Sequence, residues 1–420
     1  MMRKSVLPNG VRVLTEAMPQ MVSATIGIWV ENGSRYEATR QNGVSHFIEH
    51  LLFKGTKKRT AAQIAEEMDS IGGVLNAFTG KEYTCYYAKV LGEHLMMATD
   101  LLADIFLESV FDPAEIERER QVVIQEISQA EDTPDDFIHD LFSLHFWKGH
   151  PLALPIFGSA ETVNSFDRDA VVSFMSERYK AGRIFIAAAG QVDHDELVAA
   201  CKRYFGAIEA DGKGDAMVAP AIHPNILNYE KPLEQAHLVI GGPGLSHADR
   251  LRYAGYVLNT ALGGGMSSRL FQEVREKRGR VYSIYSFMAS CHDCGYLAVY
   301  AGTNPEWVDE VLEVTLKELR KVARDGISRA ELERAKSQIK GSMLLGLESS
   351  DSRMNRIARN EIYFRRDVPI EELAAGIEAV TNDQIVEIAS ASFRPDAMAM
   401  VMLGDLKGRK IGPDVWSVLA

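Results

Sequence analysis

Cysteine is scarce in this chain. Its 420 residues contain four, Cys85, Cys201, Cys291 and Cys294, and so few over such a length argue against a disulfide scaffold. Cys291-His292-Asp293-Cys294 is a C-x-x-C. No second pair completes a four-thiolate zinc site, and no thioredoxin-like βαβ pattern surrounds it. It reads as a loop between two strands, residues 282–287 and 296–301. Long apolar runs are missing too: no stretch of about 18 residues is apolar enough to cross a membrane. Nor do basic residues dominate. With 46 Lys and Arg against 58 Asp and Glu, the net charge is −12. That argues against nucleic acid as the main partner; it suits a cationic ligand or plain solubility. Arg3 and Lys4 are followed by no apolar stretch, so no secretory signal is expected and the expected location is the cytoplasm. What is present is ordinary globular composition, 46% hydrophobic and 25% charged, with length for two to three domains.

Histidine is sparse as well, 11 in all, which makes one cluster conspicuous. His46-Phe47-Ile48-Glu49-His50 places two histidines four residues apart. That is about one helical turn, so both imidazoles project from one face. Two nitrogen ligands in that geometry suit a single Zn²⁺. Glu49 lies beside the second histidine, free to act as a general base. The order H-x-x-E-H inverts the commoner H-E-x-x-H zinc motif. The alternative is an ordinary helix with two surface histidines.

The chain also repeats itself. Ala114-Glu115-Ile116-Glu117-Arg118 returns 216 positions later as Ala330-Glu331-Leu332-Glu333-Arg334. Each run opens with a capping box, Asp112 with Glu115 (and Pro113 at the first helical position) and Ser328 with Glu331. Val163, ahead of a helix and a β-rich run ending at Gly190, is echoed by Val380, ahead of a helix and a run ending at Gly404. Residues 23–30, strand-like, are echoed by 236–241. The repeats predict an N-terminal half, residues 1–210, and a C-terminal half, 226–420. A linker, 211–225, opens on Asp211-Gly212-Lys213-Gly214-Asp215 and holds Pro220 and Pro224. Strands mix with amphipathic helices in both. One helix starts at Thr60 with a Thr-x-x-Gln box, aligns Ile64, Met68 and Ile71, and stops at Gly72. The expected fold class is α+β: two similar halves from an internal duplication, each a largely antiparallel sheet with packed helices.

Laid over the second half, His46 and His50 fall on Val257 and Ala261, and Glu119 and Glu126 on Ala335 and Ser342. Polar groups present in one copy of a duplicated scaffold are not structural necessities, so the first half is the one specialised for chemistry. A hydrolytic zinc site takes three protein ligands and keeps a position open. The helix starting near Pro113 carries Glu115, Glu117, Glu119 and Glu126. Glu119 and Glu126 are two turns apart, on a face shared with Val122 and Val123, so both are expected to point inward. A buried carboxylate needs a partner. Glu126 is the expected third ligand. Glu119 is expected to accept the far ring N–H of a ligand histidine and fix its tautomer. Glu115 and Glu117 fall to the cap and to solvent.

The motif, continued by Leu51-Leu52-Phe53-Lys54-Gly55-Thr56, and Ile116-Glu117-Arg118-Glu119-Arg120 leading to Glu126, resembles the pitrilysin (inverzincin) family of zinc peptidases. The likeness spans most of the chain and lies closest to the short subfamily of processing peptidases and their bacterial relatives. It implies one Zn²⁺ per chain on His46, His50 and Glu126, with Glu49 as base. The implied activity is a bacterial zinc metalloendopeptidase acting on short or unfolded peptides. It implies that the second half adds an arginine and a tyrosine, and Arg275 and Tyr282 fit the R-x₆-Y pattern. Gly279 between them puts Tyr282 on a loop, where its hydroxyl would donate to the substrate oxyanion or carbonyl. The alternative is a surface arginine and a core tyrosine. Gly263-Gly264-Gly265 is no P-loop, because no Gly-Lys-Ser/Thr follows. Peptide is implied to pair as an added strand with Asn76, Ala77 and Phe78, within residues 75–79. A preference for an arginine two positions before the cut is implied through Asp136 and Asp140, which share one helical face; the alternative is a solvated acidic face. Implied partners are peptides and a second copy of the chain enclosing a chamber, or an inactive homologue in a heterodimer. A non-catalytic, structural or peptide-binding subunit is the rival function.

Overall fold

The structure, a computed structural model, describes residues 2–210 and 217–419. The Gly/Asp-rich start of the expected linker therefore lies outside the described residues. The chain forms two compact units. Unit 1 comprises Met1–Gln129, Leu154–Ala216 and Gly346–Asp367; unit 2 comprises Ala130–Ala153, Met217–Leu345 and Val368–Ala420. Relative to two continuous halves, each unit thus takes one helical segment from the other half of the sequence.

Unit 1 holds strands β1 (Met2–Val6), β2 (Arg12–Ala17), β3 (Ser23–Val30), β4 (Val74–Thr79), β5 (Thr84–Leu91) and β6 (Ile184–Gly190). Their order is β1-β2-β6-β3-β5-β4. The β2–β6 pair is parallel and the other four pairs are antiparallel. Unit 2 holds β7 (Ile226–Glu230), β8 (Ala236–Pro243), β9 (Val281–Ser290), β10 (Gly295–Thr303) and β11 (Ala399–Gly404). Their order is β7-β11-β8-β10-β9, with β7–β11 parallel and the rest antiparallel. Strand for strand, β2-β6-β3-β5-β4 has the same pairing plan, so the duplication is one of topology. Gly190 and Gly404 close equivalent strands with φ of 111° and 154°. A Cβ there would lie 2.3 Å from Ser23 O and 2.7 Å from Gln235 O. Close approach of the neighbouring backbone is why the repeat keeps glycine.

Both faces of each sheet are covered. Along β6, Ile184, Ile186 and Ala188 enter one core, while Phe185, Ala187 and Ala189 enter the opposite one. Burial on both sides makes these strands read as nearly continuous apolar runs. The first core is closed by helices α1 (Val44–Leu52), α2 (Ala61–Ser70), α3 (Leu95–Glu108) and α4 (Pro113–Glu131), through residues such as Phe47, Ile64, Leu102 and Val123. The expected box at Thr60 forms, with Gln63 answering it. The opposite face is covered by the helix Ser350–Phe364, whose Met354, Ile357 and Ala358 pack with Trp29 and Phe185. Unit 2 covers its equivalent face with α5 (Pro134–Phe146), where Ile138, Phe142 and Phe146 meet Val239 and Ala298. Among the described residues no helix is long and apolar enough to cross a membrane.

Ion pairs lock the helix Ser350–Phe364 onto its sheet. Glu16 receives Arg353 at 2.7 Å and Arg356 at 2.9 Å. Glu361, 1% exposed, receives Lys4 at 2.7 Å and Arg12 at 3.1 Å. Removing Glu361 takes this tie from the partly exposed Lys4 and from the buried Arg12, which retains Glu31 at 2.6 Å. Glu361→Ala is expected to destabilise unit 1 by about 2 kcal/mol. A urea-unfolding midpoint equal to the parent's would contradict this.

Candidate metal centre

Helix α1 starts at Gly43 (φ 94°) without a side-chain cap from that residue. The cap comes from further back: the buried Glu37 carboxylate accepts the N–H of Gly43 and of Ser45, both at 2.8 Å. Phe47, Ile48 and Leu51 bury one side of α1. His46 and His50 project together, their ring centroids 4.7 Å apart.

Helix α4 brings the carboxylates. Glu126 Oε2 lies 3.7 Å from His46 Nε2 and 3.4 Å from His50 Nε2. One ligand atom from each of the three residues falls within 4.8 Å of the others. Glu119 is buried and accepts the His50 Nδ1–H at 3.1 Å; its other oxygen meets Lys54 Nζ at 2.7 Å. The inward face expected of α4 is narrower than the sequence reading had it. Positions 119, 123 and 126 form the inward stripe, whereas Val122, about 100° around the helix from Val123, is 39% exposed. Glu126 sits at the stripe's edge, with its side chain 38% exposed.

The surroundings tune the two histidines in opposite directions. Burial, then repulsion from His50, pushes His46 down to about 3, so its ring is neutral with a lone pair to donate. Burial works against charge on His50, but the Glu119 hydrogen bond and the Glu126 and Glu119 charges outweigh it and raise its pKa. Glu126 Oε2 is buried without a hydrogen-bond partner, and so is His46 Nδ1. An acceptor without a donor, facing two imidazole nitrogens, is the environment a divalent cation completes, and two nitrogens plus one carboxylate is a donor set zinc accepts. Beside it, Glu49 is raised mainly by burial, and its Oε2 accepts the Thr79 hydroxyl at 2.5 Å.

The remaining expected residues fall in two places. Asn76, Ala77 and Phe78 lie on β4, the terminal strand of its sheet. The others belong to unit 2. Tyr282 is the second residue of β9 and not on a loop, because the chain turns at Gly279 (φ 63°) and is already paired from Val281. It is 76% exposed, which sets aside the core-tyrosine alternative. Arg275 is exposed with its guanidinium 4.8 Å from the Phe271 ring. Asp136 and Tyr282 line one cavity of about 450 Å³ together with Asp135, Glu234, Tyr285 and Tyr300. Asp140 is not part of that lining; it acts instead on the buried Tyr296. Cys291 and Cys294 bracket the β9–β10 turn, the Cys291 N–H donating to Cys294 O at 2.8 Å. Sequence reading missed Glu37, Thr79 and Lys54. Thr79 had a signal, since strand alternation puts it on the face of Ala77; Glu37 had none.

Residues 12–160 match Insulinase (Peptidase family M16), and residues 165–339 match the Peptidase M16 inactive domain. A Bacillus subtilis protein named Uncharacterized zinc protease YmxG is 42% identical, covering 96% of this chain and 98% of the relative. The chain belongs to peptidase family M16. A Streptomyces coelicolor protein, Uncharacterized zinc protease SCO5738, is also 42% identical, over 97% of this chain and 90% of its own length. In fold, the chain is similar to a protease from Helicobacter pylori, with a TM-score of 0.90 at 21% identity over 96% of this chain and 99% of the other. It is similar as well to a chain of complex III2 from Candida albicans, with a TM-score of 0.86 at 21% identity over 99% of both.

Because Glu119 holds the far nitrogen of His50, Glu119→Ala is expected to weaken zinc affinity by roughly 10- to 100-fold. Competition with a chromophoric chelator reads this, and unchanged affinity would remove Glu119 from the site.

Proposed function

We propose that this M16 protein is a zinc-dependent endopeptidase that cleaves short or unfolded peptides and favours basic, arginine-containing segments. The observation carrying the reading is the meeting of His46, His50 and Glu126 within 4.8 Å beside Glu49, and relatives named zinc proteases support it. A zinc ion on those three residues would supply Lewis acidity to a water and to the scissile carbonyl. Glu49 takes the proton of the attacking water and delivers it to the leaving amine. Glu119 keeps His50 in the tautomer whose Nε2 faces the centre. The open edge of β4, along the stretch Asn76, Ala77 and Phe78, takes an extended peptide, the outward-facing backbone of Ala77 pairing with it and the flanking side chains lying beside it. Arg275 and Tyr282 serve as substrate contacts from unit 2, the exposed Tyr282 hydroxyl being an available donor.

Glu49→Gln is expected to keep zinc at the parent's stoichiometry and to lose chelator-sensitive hydrolysis of an unstructured peptide, by roughly 100-fold or more. Full activity in that variant would overturn the role of Glu49. The assay belongs on a size-exclusion peak of measured mass, since the same reading has the chain work as a homodimer, the alternative being a heterodimer with an inactive homologue.

The basic preference draws on the unit 2 cavity. Asp135, Asp136 and Glu234 surround an aromatic wall in which Tyr285 and Tyr300 stack at 4.9 Å. Burial keeps His237 and His139 below the usual histidine pKa, so neither offsets the acidic groups. A guanidinium is held well by carboxylates and by ring faces. Asp136→Asn is expected to raise KM for an arginine-containing peptide several-fold while leaving KM for its alanine counterpart unchanged. Equal KM changes for both peptides would dissociate the cavity from the preference.

A further inference from the structure

The last residue of β4 meets two things at once. Backbone groups along an edge strand point alternately to the neighbour and away from it. The Gly80 N–H donates to Tyr83 O, toward β5. The Ala77 N–H instead turns to Asn76 Oδ1 at 2.8 Å. Even positions thus face β5, and Thr79, like Ala77, directs its N–H and C=O to the open edge. Side chains alternate between the faces in the same way. Leu75 and Ala77 pack on the core that contains α1, whereas Phe78 packs on the opposite one. Thr79 therefore faces α1, and its hydroxyl reaches Glu49 Oε2 at 2.5 Å.

We propose that Thr79 is a positioning residue that holds the Glu49 carboxylate and couples it to a peptide strand lying along β4. The proposal rests on Glu49 as the base and β4 as the peptide edge. The hydroxyl takes one carboxylate oxygen and leaves Oε1 to accept a proton. It also fixes the torsions of a side chain that its neighbour Glu126 repels. A peptide that pairs with the backbone of Thr79 tightens the residue whose side chain sets the base, so docking and base placement are linked through a single amino acid. Misplacing a reacting group by an ångström is enough to cost two orders of magnitude in rate.

Thr79→Val keeps β-branching and the backbone but deletes the hydroxyl; Thr79→Ser keeps the hydroxyl. Four quantities are compared with the parent: zinc per chain, affinity of the metal-free protein for a fluorescein-labelled unstructured peptide, KM and kcat. The Val variant is expected to keep the first three within about twofold and to lose roughly 10- to 100-fold in kcat, and the Ser variant to recover kcat to within about threefold. Unchanged kcat in the Val variant, failure of Ser to rescue, or a loss of peptide affinity matching the loss of kcat would overturn the proposal. Should the Val variant not fold, Thr79→Ala deletes the same hydroxyl and is judged by the same outcomes. Activity surviving in Glu49→Gln marks failure of the underlying reading; if Glu49 is essential, the Thr79 variants alone decide.

Discussion

The nine-residue helix α1 lacks a side-chain cap from its own first residue, and the carboxylate of Glu37 bonds its leading amides instead. A helix this short is marginal on its own in water. It is held by the burial of Phe47, Ile48 and Leu51 on one side and by Glu37 at its start. Burial pushes the Glu37 carboxyl up, and the amides of Ser45 and Gly43 pull it back. The same segment also grips the β4–β5 turn: the Ser34 N–H donates to Gly80 O, the Arg35 N–H to Lys81 O, and the buried Arg35 pairs with Glu82 at 2.7 Å. One loop thus sets both the helix with the two histidines and the hairpin that carries Thr79.

A second constraint is that both faces of each sheet are apolar. A half-sequence supplies helices enough for one face. The other face is closed in unit 1 by the helix Ser350–Phe364 and in unit 2 by α5, each drawn from the opposite half of the sequence. The exchange makes neither half of the sequence self-sufficient, because each would be left with one apolar face uncovered. The copies differ in chemistry as well as in the extra strand β1 of unit 1. The buried Glu119 has the buried Ala335 as its counterpart, and His46 and His50 are matched by Val257 and Ala261 on the helix Arg252–Gly263.

The histidine pair, the adjacent glutamate, the capped helices and the duplicated plan were all legible because each depends on neighbours within a few residues or on a repeat. The choice of Glu119 and Glu126 from the five glutamates on α4 was reachable from helical spacing, although Val122 turned out to face solvent. Tyr282 was expected on a loop, yet strand pairing resumes two residues after Gly279. Asp136 and Asp140 share a helical face by spacing, but only Asp136 reaches the cavity.

By itself the sequence determined that two imidazoles share one face of a short helix with a carboxylic acid beside them, that a second helix carries further glutamates, and that only one of two copies holds these groups. Those are matters of local periodicity and of internal comparison. Tertiary structure alone decided that Glu37 caps α1, that Thr79 reaches Glu49, that Lys54 shares Glu119 with His50, and that helices change places between units. These contacts join segments brought together only by packing around a common core, and no spacing along the chain records which of them will meet.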